Sequence, residues 1–228
     1  MHWVLIISIF LLLGFLLLQI LKRNAENKPK KKSEIVVVDK HIDNSQNKGE
    51  KLVSQMLSDI IKTYNGYLFN NFTFIDDNGF STNIDQIFLS RGGLFIIETK
   101  SNIGTIYGND SYEVWEARIK GRKSNKLFKN PIKQNKKHIN HLLFMLKNNS
   151  LKMNSMIIFP LADSIYNVVS GFVYDLCSAK KFIIDKTKEE RYSKEVIDEM
   201  YFRLNEVKNI HGISLEEHRV NIKNKYKK

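Results

Sequence analysis

Three charged residues stand where hydrophobic side chains are expected. Asp85 lies within an apolar run at 82–90, and Glu98 and Lys100 lie within a second apolar run at 94–100. Both runs have the β-branched and aromatic composition of buried strands. Because an unpaired buried charge is costly, these side chains need partners or a function.

The turn between the two runs decides which charges face each other. If the turn is Arg91-Gly92, Asp85 stands opposite Glu98, and if the turn lies one residue later, Asp85 stands opposite Lys100. Both registers keep all three charges on one face of the hairpin, because a slip of two residues preserves the alternation of side chains. Carboxylates on neighbouring strands have Cβ atoms within about 5.5 Å of each other and repel.

A divalent cation would relieve this repulsion. Mg²⁺ or Mn²⁺ accepts two carboxylate oxygens and leaves positions for water and phosphate. Such an ion would activate water for in-line attack on phosphate, and Lys100 would orient the nucleophile or stabilise the developing charge. The alternative is a salt bridge in which Lys100 pairs with Asp85 or Glu98 and no ion binds.

Helices and strands interleave along the rest of the chain, which predicts an α/β fold layered around a mixed sheet. The predicted helices are 47–64, 131–147 and 193–208, and the predicted strands are 67–75, 82–90, 94–100, one strand within 104–115, 156–159, 167–173 and 181–184. Asn130 before Pro131 has the signature of a helix N-cap. We expect this second helix to bury Ile132, Ile139, Leu142, Leu143 and Leu146.

The chain is basic, with a formal net charge of +12, and its cations cluster. Residues 118–155 contain no Asp or Glu. The basic residues of this segment are Arg118, Lys120, Arg122, Lys123, Lys126, Lys129, Lys133, Lys136, Lys137, Lys147 and Lys152. Such a block attracts nucleic acid or anionic lipid, or it is simply a solvated surface.

The first residues predict a membrane anchor. Residues 3–21 carry no charge, and this length as a helix is about enough to cross a ~30 Å hydrocarbon layer. The Lys-rich segment that follows favours the cytoplasmic side, and the features of a cleaved signal peptide are missing. Cys177 is the single cysteine, which suits a reducing compartment. We therefore expect a single-pass protein of the cell membrane with its N-terminus outside and its domain in the cytoplasm.

Several motifs together resemble the nuclease-related (NERD) domain, which is similar to the PD-(D/E)xK restriction-endonuclease-like superfamily. They are Lys48-Gly49-Glu50, Ile84-Asp85-Gln86-Ile87, the run from Gly93 to Lys100, Gly104, Trp115 and the helix start from Asn130 to Gln134. Ile84 stands where the superfamily pattern has proline.

This resemblance implies a restriction-endonuclease-like αβββαβ core with a mixed central sheet. It implies a metal held by Asp85 and Glu98, with Lys100 as the catalytic lysine and Glu50 as a further acidic residue near the metal. A capping role at the helix start is an alternative for Glu50. Gln134 with His138 resembles a Gln-x3-aromatic element that related nucleases place beside the metal, where it touches phosphate. The alternative for this pair is a solvated polar face.

We expect a transmembrane anchor at 1–21, a basic juxtamembrane linker at 22–46, a nuclease-like core at 47–160, and C-terminal strands and a helix at 161–228 that complete the domain. The expected function is Mg²⁺- or Mn²⁺-dependent hydrolysis of nucleic acid, with DNA as the first candidate. Lys120, Arg122, Lys123 and Lys126 are the expected backbone contacts. The alternative is a non-catalytic module that binds nucleic acid or anionic lipid. The oligomeric state stays open.

Overall fold

The computed structural model describes residues 48–147 and 153–225, which all belong to one compact unit. The expected anchor at 1–21 and linker at 22–46 lie outside the described residues. Among the helices of the two described ranges, none has the length and apolar character needed to cross a membrane.

The described residues form a mixed α/β fold. The helices are α1 (Lys48–Tyr64), α2 (Pro131–Met145), α3 (Leu176–Lys188), α4 (Lys194–His211) and α5 (Leu215–Lys225). The strands are β1 (Tyr67–Ile75), β2 (Ser81–Ser90), β3 (Gly93–Thr99), β4 (Gly104–Tyr107), β5 (Val114–Arg118), β6 (Lys126–Lys129), β7 (Met153–Ile158), β8 (Ala162–Tyr166) and β9 (Val173–Tyr174).

The central sheet is mixed and has the order β1-β2-β3-β7-β9. Strands β1, β2 and β3 pair antiparallel as consecutive hairpins, whereas β3, β7 and β9 pair in parallel. Helix α2 precedes β7 and packs on β2, β3 and β7. In chain order, α1, β1, β2, β3, α2 and β7 follow the αβββαβ order that the sequence resemblance implied, with β4, β5 and β6 inserted between β3 and α2.

Helices cover both faces of this sheet. On one face, α2 and α4 bury Leu142, Leu146 and Leu204 against strand residues such as Phe72 and Ile96. The apolar stripe of α1 packs on the other face with α3. Burial on both faces explains why β3 is apolar at nearly every position, since such a strand has no solvated face.

A smaller sheet with the order β6-β5-β4-β8 lies beside the central one. Trp115 is its largest buried side chain, and it stacks on Phe159 with ring centroids 6.2 Å apart. The loop between β5 and β6 carries three residues of the basic segment, Lys120, Arg122 and Lys123, and is largely exposed.

Two strand predictions are wrong. Residues 181–184 lie inside α3, whose first turn is capped by the Asp175 carboxylate. A short apolar run fits a strand and a buried helix face equally well. Asp175, a residue type favoured at helix N-caps, is the sequence signal that indicates a helix here. Residues 167–172 are irregular, because Asn167 has φ +63° and ends β8, and only the two residues of β9 follow as strand.

Other differences concern elements that periodicity did not reveal. Strand β6 and helix α5 were not predicted, and both are polar and largely exposed. In α2, Leu142 and Leu146 are buried as predicted, whereas the other three expected core residues are half-buried. Asn135 is instead fully buried on this helix.

Candidate metal and nucleic-acid site

The β2–β3 hairpin brings Asp85 beside the end of β3. Ser90 pairs with Gly93 across the Arg91-Gly92 turn, and the pairing stops at Gln86 and Ile97. This is the first of the two predicted registers, so the next positions along the hairpin are Asp85 and Glu98. Instead of continuing the ladder, Asp85 Oδ2 accepts a hydrogen bond from the Thr99 amide at 2.8 Å. The backbone pairing of β2 and β3 therefore ends just before the positions of Asp85 and Glu98.

One oxygen of Glu98 is held by two side chains. Lys100 Nζ lies 2.6 Å from Glu98 Oε1, and Gln134 Nε2 donates to the same oxygen at 2.8 Å. Lys100 Nζ also donates to Gln134 Oε1 at 2.9 Å, which closes a triangle of polar contacts. The ion pair considered as the alternative to a metal site is thus present, and it joins Lys100 to Glu98.

The other oxygen of Glu98 has a different environment. Glu98 is 2% exposed, and its Oε2 has no hydrogen-bond partner among the described residues. His138 Nδ1, which also lacks a hydrogen bond within the described part, lies 3.4 Å away. Burial, with the nearby Lys100 charge, lowers the pKa of His138 to about 4, so this imidazole is neutral at pH 7. A buried carboxylate oxygen therefore faces a neutral ring.

Burial and mutual repulsion act on both carboxyl groups. Burial raises the pKa of Asp85 well above its ordinary value, and the charge of Glu98 raises it further. Burial also raises the pKa of Glu98, against the opposing effect of Lys100 and with a smaller contribution from Glu50. Removing solvent from two adjacent carboxylates favours any cation that can lie between them.

The donor set fits a hard divalent cation in part. Asp85 and Glu98 supply carboxylate oxygens, and Glu98 Oε2 is an unpartnered acceptor within the described part of the chain. Within residues 48–147 and 153–225, no group of three or more His, Cys, Asp or Glu side chains has the arrangement of a metal cluster. Any ion here would take its remaining ligands from water, backbone or substrate, as Mg²⁺ commonly does.

The start of α1 places Glu50 near these carboxylates. The Gly49 amide donates to Ser101 Oγ at 3.2 Å, which ties the helix start to the chain just after β3. A Cβ atom at Gly49 would lie 2.2 Å from that hydroxyl oxygen, so a larger residue here requires Ser101 or the start of α1 to shift. The closeness of Glu50 is reflected in its effect on the pKa of Glu98.

The start of α2 is fixed by two buried amides. Asn130 Oδ1 accepts from the Ile132 amide at 2.9 Å, and its Nδ2 donates to the Tyr112 carbonyl at 2.7 Å. Asn135 Nδ2 donates at 2.9 Å both to the Ile96 carbonyl and to a serine hydroxyl of β7. The cap was predicted, but Asn135 was missed, because nothing in its sequence context marks an amide as buried. Both amides hold Gln134 beside Glu98.

A groove adjoins the site. Its floor contains Asp85 and Asn83 of β2, and α2 contributes Gln134 and His138 to its lining. Its volume is about 1280 Å³, which exceeds the roughly 300–1,000 Å³ of pockets for small ligands. The groove therefore has room for part of a polymer.

The basic segment meets this groove with only some of its residues. Lys129, Lys133 and Lys137 line it, and Lys133 Nζ lies 2.5 Å from Glu113 Oε1. The four predicted backbone contacts lie on the loop between β5 and β6 or at its end, and they are not among the lining residues: Lys120, Arg122, Lys123 and Lys126.

Two further histidines were not assigned a role by the sequence. His141 Nδ1 is 2.6 Å from Thr82 Oγ1, and its Nε2 is 3.3 Å from Asp76 Oδ2. His218 of α5 is 2.9 Å from Ser81 Oγ. Both line the groove and join its walls to β2 and the preceding turn. Gln134 and His138, for which a solvated polar face was the alternative, both lie against Glu98.

Comparison with known proteins identifies the family of this chain. An uncharacterized protein of Bacillus anthracis is 39% identical over 113 residues, which are 49% of this chain and 51% of that protein. The chain thus spans about half the length of this curated relative. No solved structure matches the chain. The family model of the nuclease-related domain matches residues 45–160, which include α1, the three-stranded meander, α2 and β7, and the chain therefore belongs to the NERD (nuclease-related domain) family.

Proposed function

We propose that this protein is a divalent-metal-dependent nuclease that hydrolyses phosphodiester bonds, with DNA as its first candidate substrate. The observation that carries the proposal is the adjacent pair of half-buried Asp85 and buried Glu98. The pKa values of both carboxyl groups are raised, and Glu98 Oε2 has no hydrogen-bond partner within the described residues. Two adjacent carboxylates would repel a phosphate unless a cation lay between them.

Asp85 and Glu98 would hold Mg²⁺ or Mn²⁺, and the bound ion would supply an activated water and offset the charge on the phosphate. The Thr99 amide holds one oxygen of Asp85 and so fixes the direction of the other. Lys100 is held by Glu98 and Gln134, and from there its ammonium can orient the nucleophile or contact a phosphate oxygen. Glu50 would assist from the start of α1.

Replacing each carboxylate by a neutral amide tests this proposal. Asp85→Asn and Glu98→Gln should each abolish Mg²⁺-dependent cleavage of DNA, because each removes a metal ligand. Lys100→Ala should remove cleavage and leave metal binding largely intact. Cleavage by either carboxylate variant at the rate of the unaltered protein would contradict the assignment.

A non-catalytic module that binds nucleic acid is the second candidate. The closed contacts among Lys100, Glu98 and Gln134 favour it, because an ion pair already satisfies one oxygen of Glu98. In that case Mg²⁺ should leave the melting temperature unchanged, and Glu98→Gln should be strongly destabilising because Lys100 would lose its partner. A rise in melting temperature with Mg²⁺ that both carboxylate variants abolish favours the nuclease.

We propose in addition that residues 3–21 anchor the protein in the cell membrane with its catalytic domain in the cytoplasm. The uncharged run and the basic residues after it support this topology. A reporter fused after Lys228 should be active in the cytoplasm, and deletion of 1–21 should move the protein to the soluble fraction. A secreted product that lacks this segment would contradict the anchor.

Binding of the protein to anionic vesicles but not to nucleic acid would make the basic segment a lipid-binding surface.

A further inference from the structure

The groove beside Asp85 has two unlike walls. One wall is formed by α2 and the end of β6, and its cations are Lys129, Lys133 and Lys137. The other is formed by α5 and by the turn between β1 and β2, and its lining residues include Phe80, Asn221 and Asn224. The same part of the lining also carries one carboxylate, Glu113, which pairs with Lys133, so this side of the groove keeps a net positive charge.

The second wall offers amides and an aromatic ring in place of cations. Phe80 is 49% exposed, and its amide donates to Asp76 Oδ1 at 2.8 Å, which fixes the turn. Asp76 is the acidic residue that this turn contributes to the lining, and its Oδ2 lies 3.3 Å from His141 Nε2. The lining residues that α5 and this turn contribute carry no Lys or Arg among the described residues.

This wall is attached to the sheet. Helix α5 packs on β1 and β2, and His218 of α5 is 2.9 Å from Ser81 Oγ. The turn is closed by a hydrogen bond from the Asp76 amide to the Phe80 carbonyl at 3.0 Å. Phe80 and the α5 amides thus line the same groove as Lys129, Lys133 and Lys137, but on different elements.

A duplex and a single strand would use such a groove differently. A duplex presents two phosphate backbones, and both gain from cations. A single strand has its phosphates on one side and its unpaired bases on the other, and it binds where a cationic track lies beside an aromatic surface. Amide side chains can hydrogen-bond the edges of exposed bases.

We propose that the groove binds a single-stranded nucleic acid, with the backbone along Lys129, Lys133 and Lys137 and the bases against Phe80 and the amides of α5. This inference rests on the proposed function, because it takes the groove beside Asp85 as the substrate site. It adds the substrate class, which the two carboxylates do not determine.

Three probes of equal length test the proposal by fluorescence anisotropy with the full-length protein in a neutral detergent and EDTA: a single strand, its duplex, and an abasic single strand. The abasic strand keeps the phosphates and lacks the bases. We expect the single strand to bind more tightly than both others. Phe80→Ala should weaken its binding by roughly five- to a hundredfold, because the variant has no ring on which a base can stack.

Phe80→Ala should leave binding of the abasic strand unchanged, and Phe80→Trp should restore binding of the single strand. Phe202→Ala is the matched control, because Phe202 is 67% exposed on α4 and does not line the groove. Equal or tighter binding of the duplex would overturn the inference. An equal effect of Phe80→Ala on the abasic strand would also overturn it, since stacking on a base would then be excluded.

Cleavage with Mg²⁺, measured separately, distinguishes this inference from the proposed function. Cleavage of duplex and single strand at equal rates would overturn the single-strand assignment and leave the nuclease in place. Base-dependent binding of the single strand without cleavage of any probe would support the groove assignment and contradict the nuclease.

Discussion

Asp85 makes the stability of the metal-free protein depend on pH. Burial and the charge of Glu98 raise its pKa in the folded state well above the ordinary value of 3.8. The folded state therefore binds this proton more tightly than the unfolded state does. The resulting contribution to stability is complete below the ordinary pKa and is lost as pH rises through the raised one.

We therefore predict that the melting temperature in EDTA falls as pH rises above the ordinary pKa of Asp85. Asp85→Asn should reduce this slope, because the amide does not titrate. Asp59→Asn is the control, since Asp59 is exposed and its pKa is lowered by Lys62. Mg²⁺ should reduce or reverse the slope of the unaltered protein, because the ion binds the ionised carboxylates. An unchanged slope in Asp85→Asn would contradict the assigned environment.

The sequence predicted which charged residues lie near the site but not how they pair. Alternation along the strands places Glu98 and Lys100 on one side, and the Arg91-Gly92 turn sets Asp85 opposite Glu98. The sequence could not show that the Thr99 amide holds Asp85 or that the half-buried His138 lies against Glu98. These contacts depend on side-chain rotamers and on the way α2 packs, which no local pattern encodes.

Elements were predictable where their pattern was strong. The bounds of β1 agree with the predicted 67–75, and α1 differs from its prediction by one residue, because alternating or helical periodicity continues to a clear turn signal. Helix α5 was missed because it is polar on most of its surface. It nevertheless lines the groove, so a weakly patterned element contributes to the candidate site.

The approach of α1 to the end of β3 depends on Gly49. A methyl group there would collide with Ser101 Oγ and would lie 3.1 Å from Pro160 Cγ. We predict that Gly49→Ala lowers the free energy of unfolding by ~1–3 kcal/mol, as crowding of a packed contact commonly does. It should also lower cleavage, since Glu50 would move with the helix. Chemical denaturation and a cleavage assay measure the two effects.

Gly171→Ala is the matched control for this change, because a Cβ atom there meets nothing within 4 Å. Adding Ser101→Ala to Gly49→Ala should restore part of the lost stability by removing the colliding hydroxyl. Equal stability of the Gly49 and Gly171 variants would show that α1 does not require this close approach.

On the scale of the whole molecule, the family match ends before α3, yet the C-terminal helices complete the core and the groove. Helix α4 contributes Ile197, Met200 and Leu204 to the cluster on the α2 side of the sheet. Helix α5 forms part of the groove wall. The family region thus supplies the carboxylates and the cationic wall, and the segment after it supplies one boundary of the candidate substrate site.

The basic segment divides into two sets that different probes can separate. The groove set is Lys129, Lys133 and Lys137, and the loop set is Lys120, Arg122, Lys123 and Lys126. We predict that replacing the groove set by glutamine flattens the salt dependence of binding for both a short and a long single strand. The slope of log Kd against log salt should fall by roughly 0.7 for each phosphate that the variant no longer neutralises.

Replacing the loop set by glutamine should flatten the slope for the long strand and leave the short strand nearly unaffected, because these side chains lie outside the lining of the groove. Both replacements remove formal charge without touching the carboxylates. If binding depended on net charge alone, replacing the loop set would flatten the salt dependence more than replacing the groove set, for both probes, because the loop set contains more cations. A larger effect of the loop set on the short strand would show that binding follows net charge and that the groove is not the phosphate track.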